Sequence, residues 1–236
     1  LMKPGFEQSR IDLAKNSAID AIRRQNDDPK EIAGREFKRA IYEKHPLGRV
    51  ATIESVDLIN RQAIIDLHRK YFTPKGIILA VSGDFNRKEL LAKLEQLFGD
   101  WQPAEPKLPV IGTPEMNSGK QVLLAKKQVS QSVIRMGHLG LEKNNPDQYA
   151  VRVMDYILGG GFTSRLMQQI RSDRGLAYFA GSRYDIGRRF PGIFQAQTET
   201  KAGSTVEVIT LINDIITGMT KELVSEEELT QAKESI

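Results

Sequence analysis

Apolar residues recur every third or fourth position through much of the first hundred residues, and that spacing predicts a succession of helices. From Phe6 to Arg24, Ile11, Ala14, Ala18, Ala21 and Ile22 share one face of a helix of about five turns. Asn26-Asp27-Asp28-Pro29 ends it and caps the next, with Pro29 in the first turn, where its missing N–H has no bond to lose. Ile32, Ala33, Phe37, Ala40, Ile41 and Tyr42 mark that second helix. His45-Pro46-Leu47-Gly48-Arg49 reads as a loop, and Leu58, Ile59, Ile64, Ile65 and Leu67 predict a third helix from Ser55 or Asp57 to Tyr71. After a turn at Thr73-Pro74-Lys75-Gly76, residues 77–82 are apolar without alternation, the pattern of a strand buried on both faces. Residues 87–97 form an amphipathic helix, and Trp101 closes the unit.

Residues 102–118 break the pattern. Four prolines (Pro103, Pro106, Pro109, Pro114) and Gly112 make an extended, semi-stiff linker between a first domain at 1–101 and a second at 119–236. Beyond it, 121–125 and 131–138 read as strands, and Asn145-Pro146-Asp147 starts a helix running to Leu158. Residues 176–184, the basic turn Gly187-Arg188-Arg189 and residues 192–198 form a hairpin. Ala202-Gly203-Ser204 opens a helix carrying Val206, Val208, Ile209, Leu211, Ile212, Ile215 and Ile216, and Ser225-Glu226-Glu227-Glu228 is a capping box into a last one. The fold class that follows is α/β in the α+β layered sense: two similar domains, each with helices packed on a mainly antiparallel sheet. The first domain is expected to be incomplete at its N-terminus and the second at its C-terminus, because the chain starts between elements and ends inside a helix.

One stretch, 158–184, concentrates the candidate chemistry. Phe162, Leu166, Met167 and Ile170 give a helix one apolar face, Thr163 or Ser164 stands where it starts, and Gly175 stands where it would turn off through a left-handed residue. In the strand that follows, alternation puts Leu176, Tyr178, Ala180, Ser182 and Tyr184 on one face. Arg171 lies in the last helical turn and Tyr178 near the start of the strand, so a helix reversing into a strand can bring both to one edge. A guanidinium and a phenol side by side are a donor pair for a carbonyl oxygen, or for the oxyanion it becomes. Taken alone, the same residues also read as a helix-end arginine and a packing tyrosine.

Composition narrows the setting. In 236 residues, 40% are hydrophobic and 27% charged, as in a globular protein with a core of its own. The 34 basic and 30 acidic side chains leave only +4, evenly spread, which gives no case for a nucleic-acid partner. No apolar run is long enough to span a membrane as a helix. With no cysteine there is neither disulfide nor thiolate zinc site, a composition that suits the cytoplasm and the periplasm alike. His45, His68 and His138 are scattered, and none is followed by a second imidazole on the same helical face. Gly159-Gly160-Gly161 lacks the lysine and hydroxyl ending of a phosphate loop.

Four phrases occur in order along the chain: DDPKEIAGREFKRAIYEKHPLGR (27–49), LHRKYFTPKGIILAVSGDF (67–85), QSVIRMGHLGL (131–141) and GGGFTSRLMQQIRSDRGLAY (159–178). Through them the chain resembles the insulinase/pitrilysin family of zinc metallopeptidases, which includes the mitochondrial processing peptidases and bacterial zinc proteases. The resemblance implies paired halves, each of two α/β domains, around a chamber that admits peptides. One half holds zinc through an H-x-x-E-H helix and a later glutamate; the other supplies an arginine and a tyrosine seven residues apart to the substrate carbonyl. Arg171 and Tyr178 match that pair, and Gly159, Gly160, Gly161 and Phe162 match a glycine-rich turn near the substrate.

The zinc side does not match. At the third-ligand position this chain has Ala21, preceded by Asp20, and any H-x-x-E-H helix would fall upstream of Leu1. The reading that follows is a non-catalytic half that binds no metal itself, partners a homologous zinc-bearing half as a hetero- or homodimer, and contacts a peptide substrate. Two alternatives are an active zinc endopeptidase with its motif upstream, and a structural member without a peptidase role.

Overall fold

The structure, a computed structural model, describes residues 1–102, 105, 108–115 and 119–236. Two compact units divide it, one of residues 1–24 and 51–110, the other of 25–50 and 111–236. The division at 110/111 falls inside the proline-rich stretch, whose Pro103 and Pro106 lie outside the described residues. Residues 25–50, which precede the proline-rich stretch, group with the second unit.

The first unit is helical: α1 (Gln8–Arg24), α3 (Ile53–Asp57), α4 (Arg61–Tyr71) and α5 (Arg87–Phe98). The helix expected from Ser55 or Asp57 to Tyr71 is two. Thr52 and Ser55 form a capping box at the start of α3, and the Asn60 side chain accepts from the Ala63 N–H to start α4. A second cap placed mid-pattern ends one helix to begin another. Lys15 ties α1 to this corner, donating to the carbonyls of Asp57 and Ile59 at 3.0 and 2.8 Å. The expected strand at 77–82 belongs to no sheet among the described residues, and Ile78 is 97% exposed. An apolar run becomes a strand only where a neighbour takes up its N–H and C=O groups.

In the second unit α2 (Pro29–Tyr42) begins as expected, with the Asp28 carboxylate accepting from the Lys30 N–H at 2.7 Å and Pro29 in the first turn. Three antiparallel strands lie in the order β1-β3-β2: β1 is Gln131–Leu139, β2 Ala177–Tyr184 and β3 Ile193–Lys201. The β2–β3 hairpin is thus present, whereas 121–125 joins no ladder among the described residues and leaves Val122 93% exposed. α6 (Gln148–Asp155) precedes β2, and α7 (Thr205–Lys221) and α8 (Glu226–Ser235) follow β3.

β3 alternates strictly, and its even-numbered residues Phe194, Ala196, Thr198 and Thr200 are buried. Phe194 and Ala196 join a core of Ile134, Leu158, Leu166, Ile170 and Ala180, covered by Val208, Leu211, Ile212 and Ile215 of α7. The other face is polar and meets α2: Lys30 pairs with Glu199 at 2.8 Å, and the Arg135 guanidinium lies beside Gly34 while donating to Gln195 and Gln197.

α8 is held by a bidentate pair, with Arg165 Nε and Nη2 donating to Glu228 Oε1 and Oε2 at 2.6 and 2.7 Å. That arginine, with the Ser225 cap, lowers the Glu228 carboxyl from 4.5 to about 2. The folded value lies below the unfolded one, so the stabilisation is complete above about 4.5 and disappears as the pH falls toward 2. Glu228→Gln is expected to lower the melting temperature at pH 7 and to converge on the wild type across that acid range. Parallel melting curves from pH 7 to pH 2 check this, and a gap independent of pH would refute it.

Candidate functional site

The glycine run is a close-packed corner. α6 widens into a π-helical turn at Tyr156–Gly160, closed by the Gly161 N–H on the Tyr156 carbonyl at 2.9 Å. Gly159 lies so near β2 that a Cβ added there would stand 2.1 Å from the Ser182 nitrogen and 2.5 Å from its Oγ. Flexibility alone therefore does not account for this glycine; closeness of two backbones does. One turn earlier, Asp155 closes the outer edge of β2. Ser182 Oγ donates to its Oδ1 at 2.5 Å and the Tyr184 N–H to its Oδ2 at 2.9 Å. Burial pushes the Asp155 carboxyl up, and the two bonds from Ser182 and Tyr184 partly offset that.

Residues 165–166 open the next helix, which passes into π turns at Met167–Ser172. Neither suggested cap is made: Ser164 is buried and its Oγ has no hydrogen-bond partner, and Thr163 lies in a turn. Gly175, at φ +59°, reverses the chain as expected, its N–H on the Arg171 carbonyl and that of Leu176 on the Ile170 carbonyl. Ile170 is buried in the core, which fixes the turn that carries Arg171.

The Arg171 guanidinium stands over two rings, 5.1 Å from the Tyr178 centroid and 5.7 Å from that of Phe162. Its Nη1 is 4.0 Å from the Met167 sulfur. The two rings are 86% and 79% exposed, so the cluster is an open platform rather than core. Among the described residues Tyr178 Oη has no hydrogen-bond partner, and the guanidinium has only that sulfur. Arg171, Tyr178 and Phe162 are thus together, with Gly159 against β2, Gly160 over the Asp155 carbonyl and Gly161 against the Tyr156 ring. The guanidinium meets the face of the phenol.

Strict alternation fails at one point. Tyr178 was expected to share a face with Ala180, yet Ala180 is 1% exposed. The pairing explains it. Ala177 pairs with Thr200 and Ala180 with Thr198, so Tyr178 and Phe179 together oppose Glu199 in a β-bulge. The extra residue turns Tyr178 outward. Phe179 is 45% exposed and lies across Gly181, whereas Tyr184 packs on the core beside Phe194. Asp155 went unnoticed in the sequence; its signal was a carboxylate in an otherwise apolar approach to the glycine run.

The described residues do not fit zinc. Among the described residues no group of three or more His, Cys, Asp or Glu could hold a metal ion. The histidines are used by their neighbours: His45 Nδ1 accepts from the Leu47 N–H, His68 stacks on Phe72, and His138 Nδ1 contacts the Leu139 carbonyl. No described helix is long and apolar enough to cross a membrane.

A family model described as the peptidase M16 inactive domain matches residues 58–236. The chain is 28% identical over 233 residues to an uncharacterized zinc protease of Mycobacterium leprae, covering 96% of this chain and 52% of that protein. It is 26% identical over 233 residues to one of Bacillus subtilis, covering 98% and 56%. A crystal structure of a peptidase M16 inactive domain from Pseudomonas fluorescens superposes with a TM-score of 0.86 at 26% identity, over 99% of this chain and 57% of that one. The chain therefore spans about half the length of the relatives it matches. With the inactive-domain model covering well over half of its residues, 58–236, the chain belongs to the M16 (insulinase/pitrilysin) zinc-protease family.

Proposed function

We propose that this chain completes a peptide-degrading chamber opposite a homologous zinc-bearing half. In this reading Arg171 and Tyr178 hold the substrate carbonyl while water, activated outside this chain, attacks it. The observation that carries the reading is the joint placement of the two side chains, 5.1 Å apart by guanidinium carbon and ring centroid on an open surface. Guanidinium N–H and phenol O–H groups stabilise negative charge as it develops on the carbonyl oxygen, and such donors act mainly on the transition state. Phe162 shares that surface and Gly160 is exposed, so these two would flank an extended peptide there, whereas Gly159 and Gly161 are buried and would act only by shaping the turn.

The test is hydrolysis of a quenched fluorescent peptide by this protein combined with a zinc-bearing homologue from the same organism, with zinc measured on each component. Activity that needs both components, with zinc on the homologue and loss of rate in Arg171→Ala and Tyr178→Phe, supports the reading. Stoichiometric zinc on this polypeptide alone, or full activity of both variants, overturns it.

A further inference from the structure

We infer that Thr198 and Thr200 are positioning residues that hold the β2 bulge and so aim Tyr178 out of the core. The inward strip of β3 begins apolar, with Phe194 and Ala196, and then turns polar at these two threonines, 3% and 1% exposed. Valine would fill the same volume without an oxygen to satisfy, so a buried hydroxyl needs a partner to be tolerated. Each has one on β2. Thr198 Oγ1 donates to the Phe179 carbonyl and Thr200 Oγ1 to the Leu176 carbonyl, both at 2.7 Å. These carbonyls bracket the irregular stretch, where two residues face one and the ladder is locally disrupted. The two hydroxyls give a carbonyl at each end of that stretch a partner on β3.

What the bulge decides is the direction of one side chain. Side chains alternate along a strand, and a shift of one residue moves each to the other face. In an unbroken register Tyr178, two residues before the buried Ala180, would point into the core. With the bulge it stands 86% exposed over Arg171. Removing one buried hydroxyl donor shifts the balance between bulged and regular pairing by about tenfold, and removing both by about a hundredfold if the effects add.

The experiment labels the full chain with 3-fluorotyrosine, giving one fluorine resonance for each of its six tyrosines. The Tyr178 line is identified by its loss in Tyr178→Phe. In the wild type it is expected to broaden with a soluble paramagnet. In Thr198→Val, Thr200→Val and the double variant a second, protected Tyr178 line should grow while the other five hold, and Thr→Ser at either site should restore the wild-type spectrum. A Tyr178 line unmoved in the double variant overturns the inference. If the double variant does not fold, the singles decide in the same way, and loss of folding in both singles also overturns it.

A second arm rests on the carbonyl-binding reading of Tyr178. In the two-component peptide assay the double valine variant should lower kcat, with little change in KM, by the same factor as the exposed Tyr178 line loses intensity, and should lower it no further once Tyr178→Phe is present. If Tyr178→Phe has no effect on rate, the carbonyl-binding reading fails while the fluorine spectra still decide the positioning. If Tyr178→Phe is slow and the valine variants are not, positioning fails alone.

Discussion

Arg171→Ala and Tyr178→Phe are each expected to slow peptide hydrolysis by about a hundredfold in the two-component assay, the size of effect seen when one donor to a developing oxyanion is removed. The loss should fall on kcat more than on KM, because the ground-state carbonyl binds such donors weakly and the tetrahedral oxyanion strongly. Losing both should cost less than the product of the single losses, since two donors serve one oxygen and each variant leaves the other misplaced. Arg171→Lys separates charge from shape. A lysine keeps the charge but has no planar fork to lie over the Phe162 and Tyr178 rings, so it is expected to recover only a small part of the rate. Phe162→Ala takes away one ring under the guanidinium and no donor, so a much smaller loss is expected there. Steady-state kinetics on one peptide separate these outcomes, and equal, wild-type rates in all of these variants would reduce the cluster to surface packing.

Much of this site was legible in the sequence because short-range physics sets it. Gly175 at a positive φ, the buried Ile170 one residue before Arg171, and the step from helix to strand are local consequences of residue type and spacing. The capping residues Asp28 and Ser225 were equally local and behaved as read. What alternation could not reveal was the bulge. Whether Tyr178 points in or out depends on which residue of β3 faces it, and that residue, Glu199, lies 21 positions further along the chain. The Asp155 clamp was hidden for the same reason, since a lone aspartate declares its role only once Ser182 and Tyr184 are brought beside it. The apolar runs at 77–82 and 121–125 show the reverse case. They carry strand composition, but a ladder needs a second strand, which periodicity within one segment cannot supply.

The corner that carries the platform should be intolerant of a single methyl group, and Gly159→Ala is the sharpest test. Its Cβ would stand 2.1 Å from the Ser182 nitrogen and 2.8 Å from the Gly181 carbonyl carbon, both backbone atoms of an edge strand that cannot swing aside as a side chain could. Either β2 moves off or the π-helical turn unwinds, and both routes stretch the bonds from Ser182 and Tyr184 to Asp155. Overpacking of this kind costs about 1–3 kcal/mol, and a half-satisfied, partly buried carboxylate adds to it. For a protein of this size, each kcal/mol lowers the melting temperature by roughly 2–4 °C, so a drop of several degrees is expected. Gly218→Ala supplies the opposite sign. Gly218 sits inside α7 with nothing within 4 Å of an added Cβ, and alanine there should stabilise by about 0.5–1 kcal/mol through helix propensity. Activity should follow the same division. Gly159→Ala is expected to lose rate at temperatures where it is still folded, because Tyr178 stands on β2, which packs against this glycine, while Gly218→Ala keeps the wild-type rate. A Gly159→Ala protein that melts with the wild type would mean that the turn and β2 can separate without cost, and the rigid platform would have to be abandoned.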